Sequence, residues 1–198
     1  MRLYHMQPSR SNRILHLLEE LGEPYDVTLI TREEKEGPEH RARHPLGRVP
    51  VIDDGEGHLF ETAAICLQLA DLHPEKGLNF PLGTHERGLV YQWVVFSIAE
   101  LEANATAIFL AAEHEEVAEK ARQRGAAAAA AVSEALGGRE WLVGDRFTVA
   151  DLMIASVLGL ARRRSLYELD ERIGAYLDRV EQRPAYRRAQ ELYAPATA

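Results

Sequence analysis

The sequence predicts a chain in two parts: an α+β unit ordered β-α-β and then β-β-α, followed by an all-helical half. Three observations carry this. Two strand-like runs, Arg2 to Met6 and Tyr25 to Thr31, flank one apolar repeat of helical spacing. The segment Asp54-Gly55-Glu56-Gly57, set between two short strand-like runs, has the composition of a hairpin turn. Beyond the Pro- and Gly-rich stretch His73 to Gly83 no strand-like alternation recurs, only helical periods.

Arg2 to Met6 reads as a short strand entering the turn Gln7-Pro8-Ser9. In the helix that follows, Ile14, Leu15, Leu17, Leu18 and Leu21 recur on one face, Ser9 or Ser11 caps the start, and Gly22 suits a left-handed stop. Tyr25 to Thr31 is rich in β-branched residues and closes a β-α-β unit, which favours a right-handed crossover and parallel strands. Arg32 to Arg43 is charged and polar and is broken by Gly37 and Pro38, so it is expected as an exposed connection, irregular or briefly helical. Arg48 to Asp53 and His58 to Phe60 then pair as a hairpin. Pro50 would remove a ladder hydrogen bond from the first of these strands. It therefore requires an edge position, or a segment presented to something other than a neighbouring strand. Glu61 to Leu72 completes the unit as a helix, with Ala64, Ile65, Leu67, Leu69 and Leu72 as its apolar surface. The helical half runs over Glu86 to about Ala112, Glu116 to Leu136, Thr148 to Ala161, Asp170 to Gln182, and a short helix from Pro184. The expected boundaries are domains 1–78 and 86–198, joined by a linker over 79–85.

Composition excludes several classes. The 198 residues carry 31 acidic and 23 basic side chains and a net charge of −8, which argues against a nucleic-acid or anionic-membrane surface. The single cysteine permits no intrachain disulfide, and without a Cys-x-x-Cys pair it excludes a thioredoxin-type dithiol cycle. The longest unbroken apolar stretch, Ala126 to Val132, falls short of the ~20 residues of a membrane span, and Met1 to Asn12 lacks the apolar core of an export signal. A cytoplasmic protein is expected.

Several residues invite a chemical reading. Glu61 and Thr62 open a helix, where free N–H groups and the helix dipole favour an anion. His40 and His44 have the i, i+4 spacing of a metal pair, but the segment lacks a third ligand and a His-Glu-x-x-His pattern, so no metal is expected. Cys66 falls between Ile65 and Leu67 and is expected as a buried structural thiol. Thr148-Val149-Ala150-Asp151 fits a capping box, with Phe147 stapling the turn.

Four local motifs, in this order and spacing, resemble the glutathione transferase superfamily along essentially the whole chain. They are Tyr4-His5-Met6-Gln7-Pro8-Ser9-Arg10-Ser11-Asn12-Arg13, Gly47-Arg48-Val49-Pro50-Val51-Ile52, Glu61-Thr62, and Gly144-Asp145-Arg146-Phe147-Thr148-Val149-Ala150-Asp151. The resemblance implies that the first domain is thioredoxin-like and the second an all-α bundle. It implies glutathione as co-substrate, a cis Val49–Pro50 bond whose preceding backbone pairs with the cysteinyl part of glutathione, and Thr62 and Glu61 holding the γ-glutamyl carboxylate and ammonium. Arg48 is implied for the glycyl carboxylate. Ser9 sits where serine-type members place the hydroxyl that stabilises the thiolate, with Ser11 as the alternative while Ser9 caps; Tyr4 belongs to the strand and packs inside. Tyr91, Trp93, Phe96 and Phe109 are the aromatic residues expected to wall a second-substrate pocket for a small hydrophobic electrophile. The expected activity is conjugation in detoxification by a homodimer. The rival readings are a glutathione-dependent isomerase, dehalogenase or peroxidase on the same scaffold, and a non-catalytic binding or regulatory member.

Overall fold

The computed structural model describes residues 1–111 and 113–192. The chain forms two compact units, one of Met1–Lys76 together with the chain from Arg183, the other of Gly77–Gln182.

In the first unit, strands β1 (Arg2–His5), β2 (Asp26–Leu29), β3 (Val51–Asp53) and β4 (His58–Phe60) form one sheet in the order β2-β1-β3-β4. β1 runs parallel to β2, with Leu3 opposite Val27, and antiparallel to β3, with Leu3 opposite Ile52; β3 and β4 are antiparallel. The crossover helix α1 (Ser11–Leu21) stops at Gly22, whose φ of 68° makes the left-handed cap. Ile14, Leu15, Leu17, Leu18 and Leu21 of α1 are buried with Leu3, Ile52, and Ile65 and Leu69 of α4 (Thr62–Leu72). Each such side chain contributes about 1.5–3 kcal/mol by leaving water. Alternation along β1 and β3 sends Tyr4 and Val51 to the opposite face, where they cluster with Ile30.

Several boundaries differ from the sequence expectation. β3 begins at Val51, so Pro50 precedes the ladder and costs it no hydrogen bond; β3 lies between β1 and β4 and is not an edge. Thr31 does not extend β2. It caps α2 (Arg32–Glu36) in a capping box with Glu34, and α3 (Pro38–Arg43) follows, its His40 buried under Tyr4. The last helix, α10 (Pro184–Leu192), lies beyond the break in the helical half: it packs on α1, with Arg183 bidentate to Glu20 at 2.6 and 2.8 Å and Arg188 on Glu19 at 2.6 Å. The expected domain 86–198 therefore ends near Gln182 as a compact unit, because the ion pairs and apolar face of α10 find their partners on α1; residues 193–198 lie outside the described residues.

The second unit comprises α5 (His85–Phe96), a π-helical turn (Ser97–Glu102), α6 (Ala103–Leu110), α7 (Glu115–Leu136), α8 (Val149–Arg164) and α9 (Glu171–Glu181). The expected end of the first of these helices, Ala112, lies outside the described residues. α8 is buried over most of its length. Its Thr148–Asp151 capping box forms as expected, and Tyr176 of α9 donates to Asp151 Oδ1 at 3.1 Å. The linker residues are part of this unit: Leu78 O accepts from the Val149 N–H at 2.9 Å, and the Arg146 guanidinium sits 4.2 Å over the Phe80 ring. By length and composition the run His85–Leu110 meets the requirement for a membrane span that the unbroken apolar stretches do not, a property shared by core helices of soluble proteins.

Candidate active site

The β1–α1 turn places Ser9 half-buried and Ser11 fully buried. The cap position of α1 is Arg10, with no side-chain cap, where Ser9 or Ser11 was expected; Ser9, one residue earlier, accepts the Ser11 N–H on its Oγ at 3.1 Å. The two hydroxyl oxygens are 2.5 Å apart, and Ser11 Oγ lies 2.8 Å from His5 Nδ1. Burial pushes the His5 pKa below the ordinary histidine value, so its ring is neutral at pH 7. Ser9 keeps part of its surface exposed and Ser11 none. No sequence signal marked His5, which enters the cluster because β1 ends beside the start of α1.

The second piece is the loop before β3. Val49–Pro50 is cis, the isomer the resemblance implies, and Gln7–Pro8 is cis as well. Gly47 has φ 56°, and a Cβ there would stand 2.5 Å from the Lys35 carbonyl oxygen, so only glycine lets the loop pass α2. His40 and His44 are both buried, and each hydrogen-bonds a different backbone group. His40 Nε2–H donates to the Arg48 carbonyl at 2.8 Å, and His44 Nδ1 accepts the Leu46 N–H at 3.0 Å. The i, i+4 pair thus staples the loop on each side of Gly47. The His44 ring also stacks at 4.6 Å on Phe60; burial pushes its pKa down while the Glu61 carboxylate pulls it up, and the Arg48 charge pushes it down again. Arg48 is exposed, and Val49 is partly buried against the Tyr4 cluster.

The third piece is the start of α4. The helix begins at Thr62, one residue later than expected, and Glu61 sits at the cap with φ 72° and ψ 118°, an unusual conformation for a residue with a side chain. No side chain caps this end, which leaves its first N–H groups available to an anion. Thr62 is buried and Glu61 exposed. The strained backbone at Glu61 has no local signature in the sequence.

The remaining expectations divide. Trp93 is buried, with its ring edge-on to Phe96 at 5.3 Å; Tyr91 accepts the Arg87 Nε–H at 2.5 Å on a different face. Of the four aromatic residues, Phe96 lines a cleft of about 870 Å³ with Ala99, Ala103, Ala107, Ala128 and Arg124, and Phe109 is half exposed outside it. Cys66 is wholly buried and its thiol is pushed up to about 12 by burial, so it is no nucleophile. Glu23, His73 and Glu75 bring ligand atoms within 4.8 Å of one another at the surface, with the Lys76 ammonium 3.2 Å from Glu23.

A small mixed sheet with a cis-proline loop before its β3 strand and an uncapped helix start, followed by an all-helical unit, defines a thioredoxin-like protein carrying a helical second domain. The Glutathione S-transferase, N-terminal domain family matches residues 1–71, and the Glutathione S-transferase, C-terminal domain family matches residues 91–184. The chain is 31% identical over 191 residues to Glutathione S-transferase GstA of Escherichia coli O157:H7, covering 93% of this chain and 94% of that one. It superimposes with a TM-score of 0.86 and 26% identity on a sphingomonad glutathione S-transferase complexed with glutathione, over 97% of this chain and 98% of that one. A glutathione transferase from Methylococcus capsulatus gives a TM-score of 0.86 at 30% identity, over 96% and 97% of the two chains. This chain belongs to the glutathione S-transferase family, and its activity is that of a glutathione S-transferase.

Proposed function

We propose that Ser9 donates its hydroxyl hydrogen to the sulfur of glutathione and so holds it as the thiolate, which then attacks a small hydrophobic electrophile. The thiolate is the reactive form, and a free thiol with a pKa of about 8.5 is mostly protonated at pH 7. The protein's part is orientation and electrostatic stabilisation. One observation supports this reading above the others: within a single unit the Ser9 hydroxyl, the Arg48–Pro50 backbone and the uncapped start of α4 at Thr62 are all available to one peptide ligand. Glu61 is assigned to the glutathione ammonium and Arg48 to the glycyl carboxylate.

A hydrogen bond to a charged group is worth about 1.5–3 kcal/mol, so Ser9→Ala is expected to raise the bound thiol's pKa by about 1–2 units, read from thiolate absorbance on the glutathione complex. An unchanged midpoint would sink the assignment. Rates with an aryl halide, a hydroperoxide and a mixed disulfide rank the electrophiles, with the aryl halide expected first. We also infer a cytoplasmic homodimer acting in detoxification; exposed apolar residues on the run His85–Leu110, Val95 at 60% and Leu110 at 81%, support a covered face.

A further inference from the structure

We propose that His5 is a positioning residue for this reaction: through Ser11, its Nδ1–H sets the direction of a hydroxyl chain so that Ser9 offers its hydrogen outward to the glutathione sulfur. The inference rests on the Ser9 reading above and adds a residue to it.

A count of hydrogens and lone pairs carries it. A hydroxyl has one hydrogen to donate and two lone pairs to fill. Ser11 Oγ accepts the Met6 N–H at 3.3 Å, and Ser9 Oγ accepts the Ser11 N–H at 3.1 Å, so each oxygen has one lone pair already committed. Two contacts remain, the 2.5 Å Ser9–Ser11 pair and the 2.8 Å Ser11–His5 pair, and a hydrogen must lie in each. Ser11 also lies 3.3 Å from the Met6 carbonyl. Donating there while His5 donates to Ser11 would leave the 2.5 Å oxygen pair with no hydrogen and no lone pair to accept one, so that arrangement fails.

Two arrangements survive. If Nδ1 carries the hydrogen, it donates to Ser11, Ser11 donates to Ser9, both lone pairs of Ser9 are filled, and the Ser9 hydrogen points away to a ligand. If Nδ1 is bare, Ser11 donates to it, Ser9 donates to Ser11, and Ser9 turns a lone pair outward, which repels an anion. A thiolate at Ser9 therefore selects the first arrangement, and by reciprocity the first arrangement stabilises the thiolate. Bonds in such a chain polarise one another in the low-dielectric interior, so the Nδ1–H donor strengthens the terminal Ser9 bond. Because the buried ring is neutral, its one hydrogen resides on either nitrogen, and the chain reverses by a tautomer change without moving a heavy atom.

The test compares the thiol midpoint of bound glutathione in the wild type, Ser9→Ala, His5→Leu and His5→Asn. Asn keeps an amide N–H near the place of Nδ1, and Leu does not. The expected result is that Leu raises the midpoint by a part, about a tenth to a third, of the Ser9→Ala shift while Asn stays with the wild type. A midpoint unchanged in His5→Leu but raised in Ser9→Ala overturns the His5 role and leaves the Ser9 reading standing. A midpoint unchanged in Ser9→Ala overturns both. Should the variants fail to fold, nitrogen-15 NMR of histidine-labelled wild-type protein, loaded with glutathione above the thiol midpoint, decides the matter. An Nδ1–H tautomer at His5 supports the chain as written; an Nε2–H tautomer overturns it.

Discussion

Asp151 gathers four donors into the core of the helical unit: the Leu142 and Thr148 N–H groups at 2.9 Å each, the Thr148 hydroxyl at 3.1 Å and the Tyr176 hydroxyl at 3.1 Å. Asp151→Ala strands all of them in the interior and is expected to cost about 3 kcal/mol, read from the urea midpoint. Burial outweighs those donors and raises the carboxyl pKa from 3.8 to about 6. The folded state therefore holds a proton that the unfolded state has released between pH 4 and pH 6, and stability from this group falls as pH rises through that window. Asp151→Asn removes that slope; a difference between variant and wild type that stays constant from pH 4 to 6.5 would contradict it. Glu61 is the opposite kind of residue, held at φ 72° by its surroundings. Glu61→Gly relieves the backbone and is expected to gain about 1 kcal/mol of stability while weakening glutathione binding about tenfold, measured by thermal unfolding and calorimetry. The motif made Glu61 and Thr62 legible as a helix start, to within one residue, because that signal is written in neighbouring residues. The strain was not, because the tertiary environment imposes it.

At the scale of elements, α7 shows how packing reverses an intrinsic preference. Gly125 lies mid-helix, where Ala would ordinarily gain about 1 kcal/mol. Here a Cβ would meet the Tyr167 ring at 2.5 Å, so Gly125→Ala is expected to lower the melting temperature, and Gly125→Ala with Tyr167→Leu to recover it. The docking of α10 on α1 rests on a second element pair. Burial raises the Glu20 carboxyl, but the bidentate Arg183 and the His16 ring at 3.2 Å outweigh it and bring the pKa to about 2. A depressed carboxyl contributes stability above its unfolded pKa near 4.5 and loses it as pH falls toward 2. Arg183→Met is thus expected to cost about 2 kcal/mol at pH 6 and less at pH 3, in urea titrations at the two values; an equal cost at both would exclude the ion pair as the source. Helix periods in the sequence located every long helix to within a few residues. The side α10 joins was beyond them, since periodicity reports that a face is apolar but not which partner covers it.

For the whole molecule, the exposed apolar residues along the run His85–Leu110 bear on assembly. Sedimentation is expected to give twice the chain mass, and Val95→Glu with Leu110→Glu to give a folded monomer; a wild-type monomer at micromolar concentration would refute the homodimer. The sequence by itself determined the order of elements, the division into an α+β and a helical part, the proline and helix-start motifs and the family, because alternation, helical period, turn chemistry and short motifs are properties of adjacent residues. Only the tertiary structure decided that Pro50 stands outside an interior strand, that His40 and His44 hydrogen-bond the loop backbone at Arg48 and Leu46, that Ser11 is buried while Ser9 is partly exposed, and that His5 stands behind them. Each of those depends on distances of about 3 Å between atoms on different elements, and the hydrogen-bond partner of a buried polar group is fixed by which elements meet around it.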